Sequence, residues 1–553
     1  MTEDEKKAAI RRNRAIMLLL FCFVAMIGLR LMNIQSQSPE YDEIWTVQHY
    51  VSLPVGRILS DVATPNNHVL NSLGIKFFSA WVPNLVVAMR LPALLAFAGL
   101  FLLLLRAVLK LYRDKSVRGA VMAAILLDGM ILHYAETARG YSLQVFFVFG
   151  LLFSLLCFNS ENGRNRIFNA VMWLLCAIGS CLSVSSGIIF AAVLTGLWLL
   201  LFLPFRDGIA KIWKEYRALI VSGVLFSLFV LIWYGGNYSQ FAQGRSNFGE
   251  SFTSIGQYLN YSFHILWTTG LLWPLLILFA GIAVFRREAQ VRVCLLSAGT
   301  VLLVLISALF TKGGPPRVYL PLIPVAMFGA GFVLDFILQR YEKIKKAGLA
   351  VFLGVLALSA CFSETRRIAA ADPDIGAIYN EVKKLPQQVF VVHRPTDLYV
   401  VLNLFGNEAK ADNMARMANP VQLLLLHDNQ IGTMRFSDSA TGGVSPGCPA
   451  LESKFADGAE KMPYWLYNLR QLQPGEDLKG KAVLCFIHGM MPELDKRNKS
   501  NWLKDNFAVV NGFLTNGSAS FCFAADGTKL NADQLLQMEQ NRGGRVFFRV
   551  VCN

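Results

Sequence analysis

The stretch LPALLAFAGLFLLLL, residues 91–105, contains no charged side chain. A helix rises about 1.5 Å per residue, so about 20 such residues cross the ~30 Å hydrocarbon layer of a membrane. A second stretch, AIMLLLFCFVAMIGL at 15–29, has the same character, and 54% of the 553 residues are apolar or aromatic while 16% are charged. This composition excludes an ordinary soluble protein and predicts a polytopic α-helical membrane protein.

Hydropathy predicts eleven transmembrane helices along the chain. Their approximate bounds are 15–33, 91–112, 117–134, 141–157, 167–182, 184–204, 217–235, 263–284, 291–311, 317–337 and 347–363. The first of these also fits a signal peptide, but its long apolar core and the lack of a small-x-small cleavage site favour an uncleaved anchor.

The distribution of basic residues predicts the orientation. With a cytoplasmic N-terminus, the cytoplasmic segments hold 23 Lys and Arg, whereas the outward stretches before residue 364 hold eight. This asymmetry follows the positive-inside rule. It predicts a multi-pass protein of the plasma (inner) membrane, with residues 364–553 on the extracytoplasmic side. The net charge of +15 sits mainly on the cytoplasmic loops, which argues against a nucleic-acid partner and indicates contact with membrane lipid.

Two domains are expected, a transmembrane part at 1–363 and a soluble extracytoplasmic α/β domain at 364–553. In the second domain, QQVFVVH (387–393), KAVLCFIHG (481–489) and RVFFRVVCN (545–553) resemble strands, and TDLYVVLNLFG (396–406) resembles a helix. Four cysteines lie in this exported part, Cys448, Cys485, Cys522 and Cys552. An oxidising compartment permits two disulfides among them, and the sequence does not choose between the three pairings.

Polar residues of the membrane part concentrate on the predicted outward loops 34–90, 133–141, 236–262 and 311–317. The first loop contains YDEIWTVQHY (41–50), and its DEIWTVQHYVSLPVGRILSDV segment has the composition of an amphipathic surface helix. Asp42 and Glu43 lie in this loop, and Glu136 lies at the tip of the second. Because carboxylates beside hydrocarbon are costly, they indicate a site, in which one acid acts as a general base. Solvated loop acids are the alternative interpretation.

Arg139 and Arg317 each lie where an outward loop re-enters the membrane, close to Tyr141 and Tyr319 respectively. A guanidinium binds a phosphate through parallel hydrogen bonds, so a lipid phosphate is a suitable partner. Snorkelling toward headgroups is the alternative.

TPNNHVLNSLGIKFF (64–78) contains Asn66, Asn67, His68 and Asn71 ahead of an apolar helix. His68 is expected to contact a phosphate or the catalytic acid. Asn67 is a candidate substrate ligand, with helix capping as the equal alternative.

Five segments in order resemble the motifs of the family 39-like glycosyltransferases of the GT-C superfamily, which includes protein O-mannosyltransferases and the aminoarabinose transferase that modifies lipid A. They are YDEIWT, NNHVLNSLGIKFF, AMRLPALLAF (88–97), HYAETARGYSLQVFF (133–147) and PPRVYLPLIPVAMFGAGF (315–332). The resemblance covers about residues 15–332.

The resemblance implies transfer of a sugar from a polyprenyl-phosphate-linked donor to an acceptor hydroxyl outside the membrane, typically with inversion. It implies Asp42 as the catalytic base and Glu136 as the acid of the E-x-x-R-x-Y motif, with Arg139 and Tyr141 following. It places Arg317 on the lipid phosphate. It also maps His68 onto the histidine of the family's loop motif.

Two departures bear on the sugar and the acceptor. Val69 and Leu70 follow His68 where family members have prolines, and CLSVSSGIIF (181–190) stands where many members have a Tyr/His-rich motif. The acceptor class, protein, lipid or polysaccharide, stays open. No cofactor is required, although a divalent metal between Asp42 and Glu136 is an open alternative because hard cations favour carboxylates. A transporter of a lipid or small solute, and a polymer transferase with a pyrophosphate donor, are the competing functions.

Overall fold

The computed structural model describes residues 28, 34, 41–51, 53–62, 67–158, 163–204, 208–242, 251–285 and 288–340, together with seven strands of the C-terminal part. The chain divides into two compact units, residues 1–35 with 46–370, and residues 36–45 with 371–553. Each unit is described by itself.

The first unit is helical, and one further helix, α1, lies almost wholly in the 36–45 segment of the second unit. We label the helices in chain order: α1 (Tyr41–Thr46), α2 (Val55–Ser60), α3 (Val69–Ser79), α4 (Leu85–Leu111), α5 (Lys115–Leu126), α6 (Gly129–Ala135), α7 (Tyr141–Phe158), α8 (Gly163–Ser183), α9 (Gly187–Phe202), α10 (Ile209–Gly236), α11 (Ile255–Thr268), α12 (Leu272–Val284), α13 (Glu288–Thr311) and α14 (Leu322–Arg340). A π-helical turn, Val47–Val51, follows α1, and a 3-10 turn, Pro316–Tyr319, precedes α14.

In the part of the chain that the structure describes, six helices are long and apolar enough to cross a membrane: α4, α7, α8, α10, α13 and α14. The bent pairs α5–α6 and α11–α12 and the shorter apolar helix α9 account for three more of the predicted spans. The protein is therefore a multi-pass membrane protein. The predicted spans 15–33 and 347–363 lie outside the described residues, apart from Gly28.

Side-chain caps begin several of these helices. The Asn84 side chain accepts a hydrogen bond from the backbone N–H of Val87, and Asp114 accepts from Ser116 and Val117. Asp128 accepts from Met130 and Ile131. Such caps satisfy backbone donors that the first helical turn leaves without partners. Asp128, an acid within a predicted span, therefore has a structural use.

Two bends set the directions of the broken spans. The cap at Asp128 starts α6 at 58° to α5. Gly270 has a φ of +69° directly after the end of α11, and α12 continues at 97°. A glycine in this left-handed conformation ends a helix at no steric cost, so the chain can turn sharply here.

The described core of the first unit is rich in aromatic side chains. The Tyr112 ring packs against Phe328 and Phe332, and Phe149 meets Phe328 edge to face. The Tyr112 hydroxyl also donates to the Phe328 carbonyl. These contacts join α7 and the end of α4 to α14.

A set of polar contacts near the end of α14, which we call the Asp335 cluster, joins Asp335 to Gln339 and to the backbone of Arg113 and Asp114. The Asp335 carboxylate accepts from the backbone N–H groups of Arg113 and Asp114, the shortest at 2.7 Å, and from the Gln339 amide at 2.7 Å. The Arg118 guanidinium donates to the Tyr112 carbonyl at 2.6 and 3.0 Å. The cluster fastens α14 to the α4–α5 connection.

The expected amphipathic helix after Asp42 is divided into pieces. α1 runs into the π turn, and the chain then breaks at Leu53–Pro54 before α2 begins. Proline lacks an N–H and cannot continue a helix from the preceding turn, so Pro54 instead occupies the N-cap of α2.

The strands of the second unit are β1 (Gln388–Val392), β2 (Gln422–Leu425), β3 (Arg470–Gln471), β4 (Ala482–Ile487), β5 (Ala519–Phe523), β6 (Lys529–Leu530) and β7 (Val546–Val551). They form one sheet in the order β3-β2-β1-β4-β7-β5-β6. Pairing is parallel from β3 to β4 and antiparallel from β4 to β6. The three predicted strands correspond to β1, β4 and β7, whereas the predicted helix 396–406 lies outside the described residues.

The register of this sheet bears on the disulfides. Cys485 of β4 and Cys522 of β5 both pair with Phe548 of β7, from opposite sides. Two strand spacings separate their Cα atoms by about 9.5 Å, beyond the ~7 Å that a disulfide spans. The sheet thus excludes a Cys485–Cys522 bond; Cys448 and Cys552 lie outside the described residues.

Candidate functional site

The turn between α6 and α7 carries the acid and the first arginine of the predicted site. It runs from Glu136 to Gly140, within the expected loop 133–141. Glu136 caps the C-terminus of α6, where its backbone N–H donates to the His133 carbonyl. The Glu136 and Arg139 side chains are both buried, at 1% and 2% exposure. A guanidinium and a carboxylate are thus held in one buried turn, where the bent pair α5–α6 connects to α7.

Tyr141, the first residue of α7, is the centre of a group that we call the Tyr141 cluster: His68, Arg139, Tyr141 and Arg317. The Arg317 Nε donates to the Tyr141 hydroxyl at 3.1 Å. The Arg139 Cζ lies 5.6 Å from the centre of the Tyr141 ring, within cation–π range. The two arginines, 178 positions apart in sequence, therefore meet at one phenol.

His68 lies at the N-terminus of α3 and packs edge to face on Tyr141, with ring centres 5.0 Å apart. Its Nδ1 lies 3.0 Å from the Ser183 carbonyl oxygen. A carbonyl only accepts, so Nδ1 carries the proton and, in the neutral ring, Nε2 presents a lone pair. His68 is 1% exposed.

The charge state of His68 follows from its surroundings. Burial, and then the positive charges of Arg139 and Arg317, hold the pKa of His68 well below its usual 6.5, against the opposing effect of the Ser183 hydrogen bond. The imidazole is therefore neutral at physiological pH. This favours a hydrogen-bond acceptor over a cation that pairs with a phosphate.

Gly140 allows His68 and Ser183 to lie close to the turn between α6 and α7. A Cβ at this position would lie 2.3 Å from the Ser183 carbonyl oxygen and 2.8 Å from the His68 Cβ. Real atoms do not approach so closely, so only glycine allows His68 and Ser183 to close on the turn. This gives a packing reason for the glycine in HYAETARGY.

Further polar groups surround the turn. The Asn71 amide donates to the Ala138 carbonyl at 3.0 Å, and the Gln144 amide donates to the Ser186 hydroxyl at 2.9 Å. Among the described residues, four buried atoms at this place have no hydrogen-bond partner: His68 Nε2, Asn71 Oδ1, Thr137 Oγ1 and Gln144 Oε1. Buried polar atoms are nearly always satisfied, so such a concentration indicates a place where a polar ligand binds.

Asn67 has contacts of a different kind. Its amide group donates to the carbonyls of Ile58 and Asp61, and its oxygen accepts from the Ser72 hydroxyl. These bonds fasten the loop after α2 to the start of α3. Asn67 does not cap α3, whose N-cap residue is His68, and its predicted role as a substrate ligand stays a prediction.

The turn that carries Arg317 is fixed by two tyrosines. The Tyr261 hydroxyl lies 2.6 Å from the Gly314 carbonyl oxygen and 2.7 Å from the Tyr319 hydroxyl. Because the carbonyl must accept, Tyr261 donates to Gly314 and receives the Tyr319 proton. Tyr319 is buried, and its hydroxyl is engaged on the α11 side, whereas Arg317 is half-buried.

Asp42 and Glu43 lie in α1, within the second compact unit. Asp42 is half-buried and Glu43 is fully buried. The helix continues directly into the π turn, whose Val51 carbonyl accepts from the Lys76 ammonium of α3 at 3.0 Å. Asp42 as the base therefore stays a prediction, as does a metal between Asp42 and Glu136. In the described ranges, no group of three or more His, Cys, Asp or Glu is placed to hold a metal.

Several parts of this site were not anticipated from the sequence. The Ser183 carbonyl, Gln144 and Tyr134, whose ring lies 4.8 Å from that of Tyr141, were all missed. Tyr134 and Gln144 both lie inside the quoted motif HYAETARGYSLQVFF (133–147), and their polar groups within an apolar run were the signal that could have identified them.

Comparison with known proteins gives a likeness of fold. No protein-family profile matches the chain, and no curated protein sequence matches it. Among solved structures, apo ArnT from Cupriavidus metallidurans superposes with a TM-score of 0.50 at 12% identity, covering 97% of this chain and 98% of that one. A structure of the same ArnT with undecaprenyl phosphate gives a TM-score of 0.46 at 12% identity, covering 87% and 94%.

The first of these comparisons confirms the predicted resemblance at the level of fold: the chain is similar in fold to ArnT.

Proposed function

We propose that this chain is an integral membrane glycosyltransferase that moves a sugar from a polyprenyl-phosphate-linked donor to an acceptor hydroxyl on the extracytoplasmic face. The observation that carries the proposal is the convergence of Arg139 and Arg317 on Tyr141, beside a neutral His68. Two partly desolvated guanidiniums at the end of membrane helices suit the phosphate of a lipid-linked sugar. ArnT, whose fold the chain shares, has itself been crystallised with undecaprenyl phosphate.

The reaction is a single displacement at the anomeric carbon. The bond from that carbon to the phosphate oxygen breaks, and the polyprenyl phosphate leaves with the electron pair. The acceptor oxygen forms the new bond from the opposite side, so the anomeric configuration inverts. The acceptor proton passes to a carboxylate, for which we propose Asp42.

The arginines act on the leaving group. Negative charge on the phosphate grows as the sugar departs, and fixed cations stabilise that charge without reorganising. Arg317 donates to the Tyr141 hydroxyl through Nε, and we assign its guanidinium to the phosphate. Arg139, over the Tyr141 ring, provides the second charge.

The remaining predicted residues are assigned to positioning. We assign Glu136 to the reacting sugar or acceptor, as a carboxylate in the same buried turn as Arg139. Glu43 supports Asp42 from the next position of α1. Tyr319 fixes the Arg317 turn through Tyr261.

His68 is assigned to a sugar or acceptor hydroxyl. Its Nε2 lone pair has no partner among the described residues, and the ring is neutral. A hydroxyl can donate to this nitrogen, whereas a phosphate, which has no proton to donate, cannot.

The deciding experiment uses purified full-length protein in nanodiscs. A panel of polyprenyl-phosphate sugars is supplied with crude envelope acceptors, and free polyprenyl phosphate is measured by mass spectrometry, with and without chelator. We expect one donor to be turned over, and Asp42→Asn to lower the rate by about 10²–10⁴-fold, as loss of a general base does. A matched Glu43→Gln variant is expected to lose less.

Arg57→Gln is the control, because Arg57 is an exposed cation of the same predicted outward loop. Its rate should match the wild type. Binding of a monophosphate donor without turnover would leave the acceptor as the missing reactant. Failure to bind any such donor would overturn the proposal and favour a transporter.

A further inference from the structure

α11 has three distinct faces, although it contains no Asp, Glu, Lys or Arg in its 14 residues. Successive residues of a helix are rotated by about 100°. On that wheel, starting from Ile255, one sector between about 0° and 120° holds large apolar side chains. These side chains are 49–70% exposed: Ile255, Leu259, Phe263 and Trp267.

The second sector faces the protein. Tyr258, Tyr261 and Ile265 lie between about 240° and 300° of the wheel, and their exposed fractions are 8%, 7% and 0%. Tyr258 and Tyr261 both pack against Phe252, and Tyr261 also reaches the Gly314 carbonyl. Through this sector, one side of α11 packs against the rest of the first unit.

The third sector is exposed and polar. Asn260, His264 and Gln257 lie between about 140° and 200°, and all three are exposed. The apolar and polar exposed sectors therefore adjoin each other, and the protein-facing sector lies on the remaining side of the helix. A helix in water has no reason to separate its exposed side chains in this way, whereas a helix at a boundary between hydrocarbon and water does.

The direction of the helix gives an independent observation. α11 is bent by 97° from α12, an apolar helix with exposed Trp273, Leu276 and Phe279. If α12 follows the membrane normal, α11 lies parallel to the membrane surface. The partner that fits its exposed apolar sector is then the acyl-chain region of the bilayer.

We propose that α11 is an interfacial helix of this protein, with the Ile255–Leu259–Phe263–Trp267 sector embedded in lipid and the Gln257–Asn260–His264 sector in water. Through Tyr261 it fixes the turn that carries Arg317 at the depth of the lipid headgroups. This inference concerns the membrane surface and does not depend on the reaction proposed above.

The test is a thiol-accessibility scan in nanodiscs of phosphatidylethanolamine and phosphatidylglycerol. Four variants are compared: Leu259→Cys and Phe263→Cys in the apolar sector, and Gln257→Cys and Asn260→Cys in the polar sector. A charged, membrane-impermeant maleimide is added, and the labelling of the parent protein, with its ten cysteines, is subtracted. Labelling after denaturation in SDS normalises each variant, and thermal unfolding checks its fold.

We expect the polar-sector thiols to react about tenfold faster or more than the apolar-sector thiols, because lipid covers only the latter. A fluorophore at position 263 should also be quenched by doxyl lipid, and one at position 260 should not. Equal fast labelling at all four positions would place the helix in water. Equal slow labelling would place it under protein or wholly within hydrocarbon. Either result would overturn the proposal.

Discussion

The Tyr141 cluster and the Asp335 cluster lie toward opposite ends of one helix, and they use polar groups differently. Arg317 precedes α14, and Asp335 lies about 20 Å along it from Leu322. At Asp335, backbone amides and a glutamine fill the carboxylate's hydrogen bonds. Around Tyr141, buried atoms of His68 and Gln144 have no partner among the described residues.

The difference distinguishes polar groups that stabilise the fold from polar groups that are available to a ligand. A buried polar group without a partner costs about 1–3 kcal/mol, so a cluster that has several is stable only if something else is gained. The Asp335 cluster joins α14 to the α4–α5 connection, whereas we propose that the polar groups around Tyr141 bind a ligand. Substitutions should therefore affect stability at one end and activity at the other.

The largest expected effect is on activity at the Tyr141 cluster. Arg317→Gln should lower the rate of polyprenyl phosphate release by about 10²–10³-fold, because one donor that stabilises developing charge is lost. Arg139→Gln should act in the same range. Rates are measured in nanodiscs, with Lys312→Gln of the same loop as the comparison.

Thermal stability of the Arg317→Gln protein should stay close to that of the wild type. A loss of folded protein in proportion to the loss of rate would mean that Arg317 is structural.

The second effect is on stability at the Asp335 cluster. Asp335→Ala should destabilise the protein by about 2–4 kcal/mol, because the backbone N–H groups of Arg113 and Asp114, the second of them buried, lose their carboxylate acceptor. Thermal unfolding measures the loss. Gln339→Ala, which leaves both backbone bonds in place, should have a smaller effect. An unchanged unfolding temperature in Asp335→Ala would remove the contrast between the two clusters.

A third test compares one substitution at two glycines. Gly140→Ala should cost about 1–3 kcal/mol, because the new methyl group meets the Ser183 carbonyl, which is backbone and cannot rotate away. Gly119→Ala, with nothing within 4 Å, should be neutral or slightly stabilising, since it lies in a helix. Unfolding temperatures report both. Equal effects would show that the Gly140 contact is not tight.

The smallest effect is a dependence of stability on pH through His68. Its pKa is lowered in the folded protein, so below pH 6.5 the unfolded chain binds a proton that the folded chain does not. Stability is therefore complete above 6.5 and falls with decreasing pH toward the lowered pKa, by at most about 1.4 kcal/mol per pH unit. His68→Gln removes this proton, so its unfolding temperature should fall less between pH 6.5 and 5. Parallel curves for the two proteins would contradict a neutral His68.

Much of the membrane fold could be predicted from the sequence, because hydrocarbon thickness imposes the length of each span. The span predicted at 263–284 shows where this reasoning ends. Hydropathy does not report direction, and the bend between Trp267 and Leu272 depends on the backbone conformation of Gly270. Residues 263–268, the first six of that apolar run, belong instead to α11.

The charged residues of the site could be predicted from the sequence, but the contacts that bring them together could not. Arg139 and Arg317 could be identified separately by their positions at loop ends, but their meeting at Tyr141 depends on the packing of α7 against the turn before α14. The partner of His68 is the backbone carbonyl of Ser183. Because every residue has a backbone carbonyl, the sequence carries no sign of this contact. Asn67 shows the converse, since a conspicuous polar residue has its amide bound within its own loop.

The bend at Gly270 also has a consequence for the lipid around the protein. With α11 turned aside, α12 alone measures about 20 Å, about 10 Å short of an average hydrocarbon layer. Such hydrophobic mismatch is relieved when the surrounding bilayer thins. We therefore expect the bilayer to thin beside α12, so that a lipid phosphate there lies closer to the bilayer midplane than one beside the 24-residue helix α13.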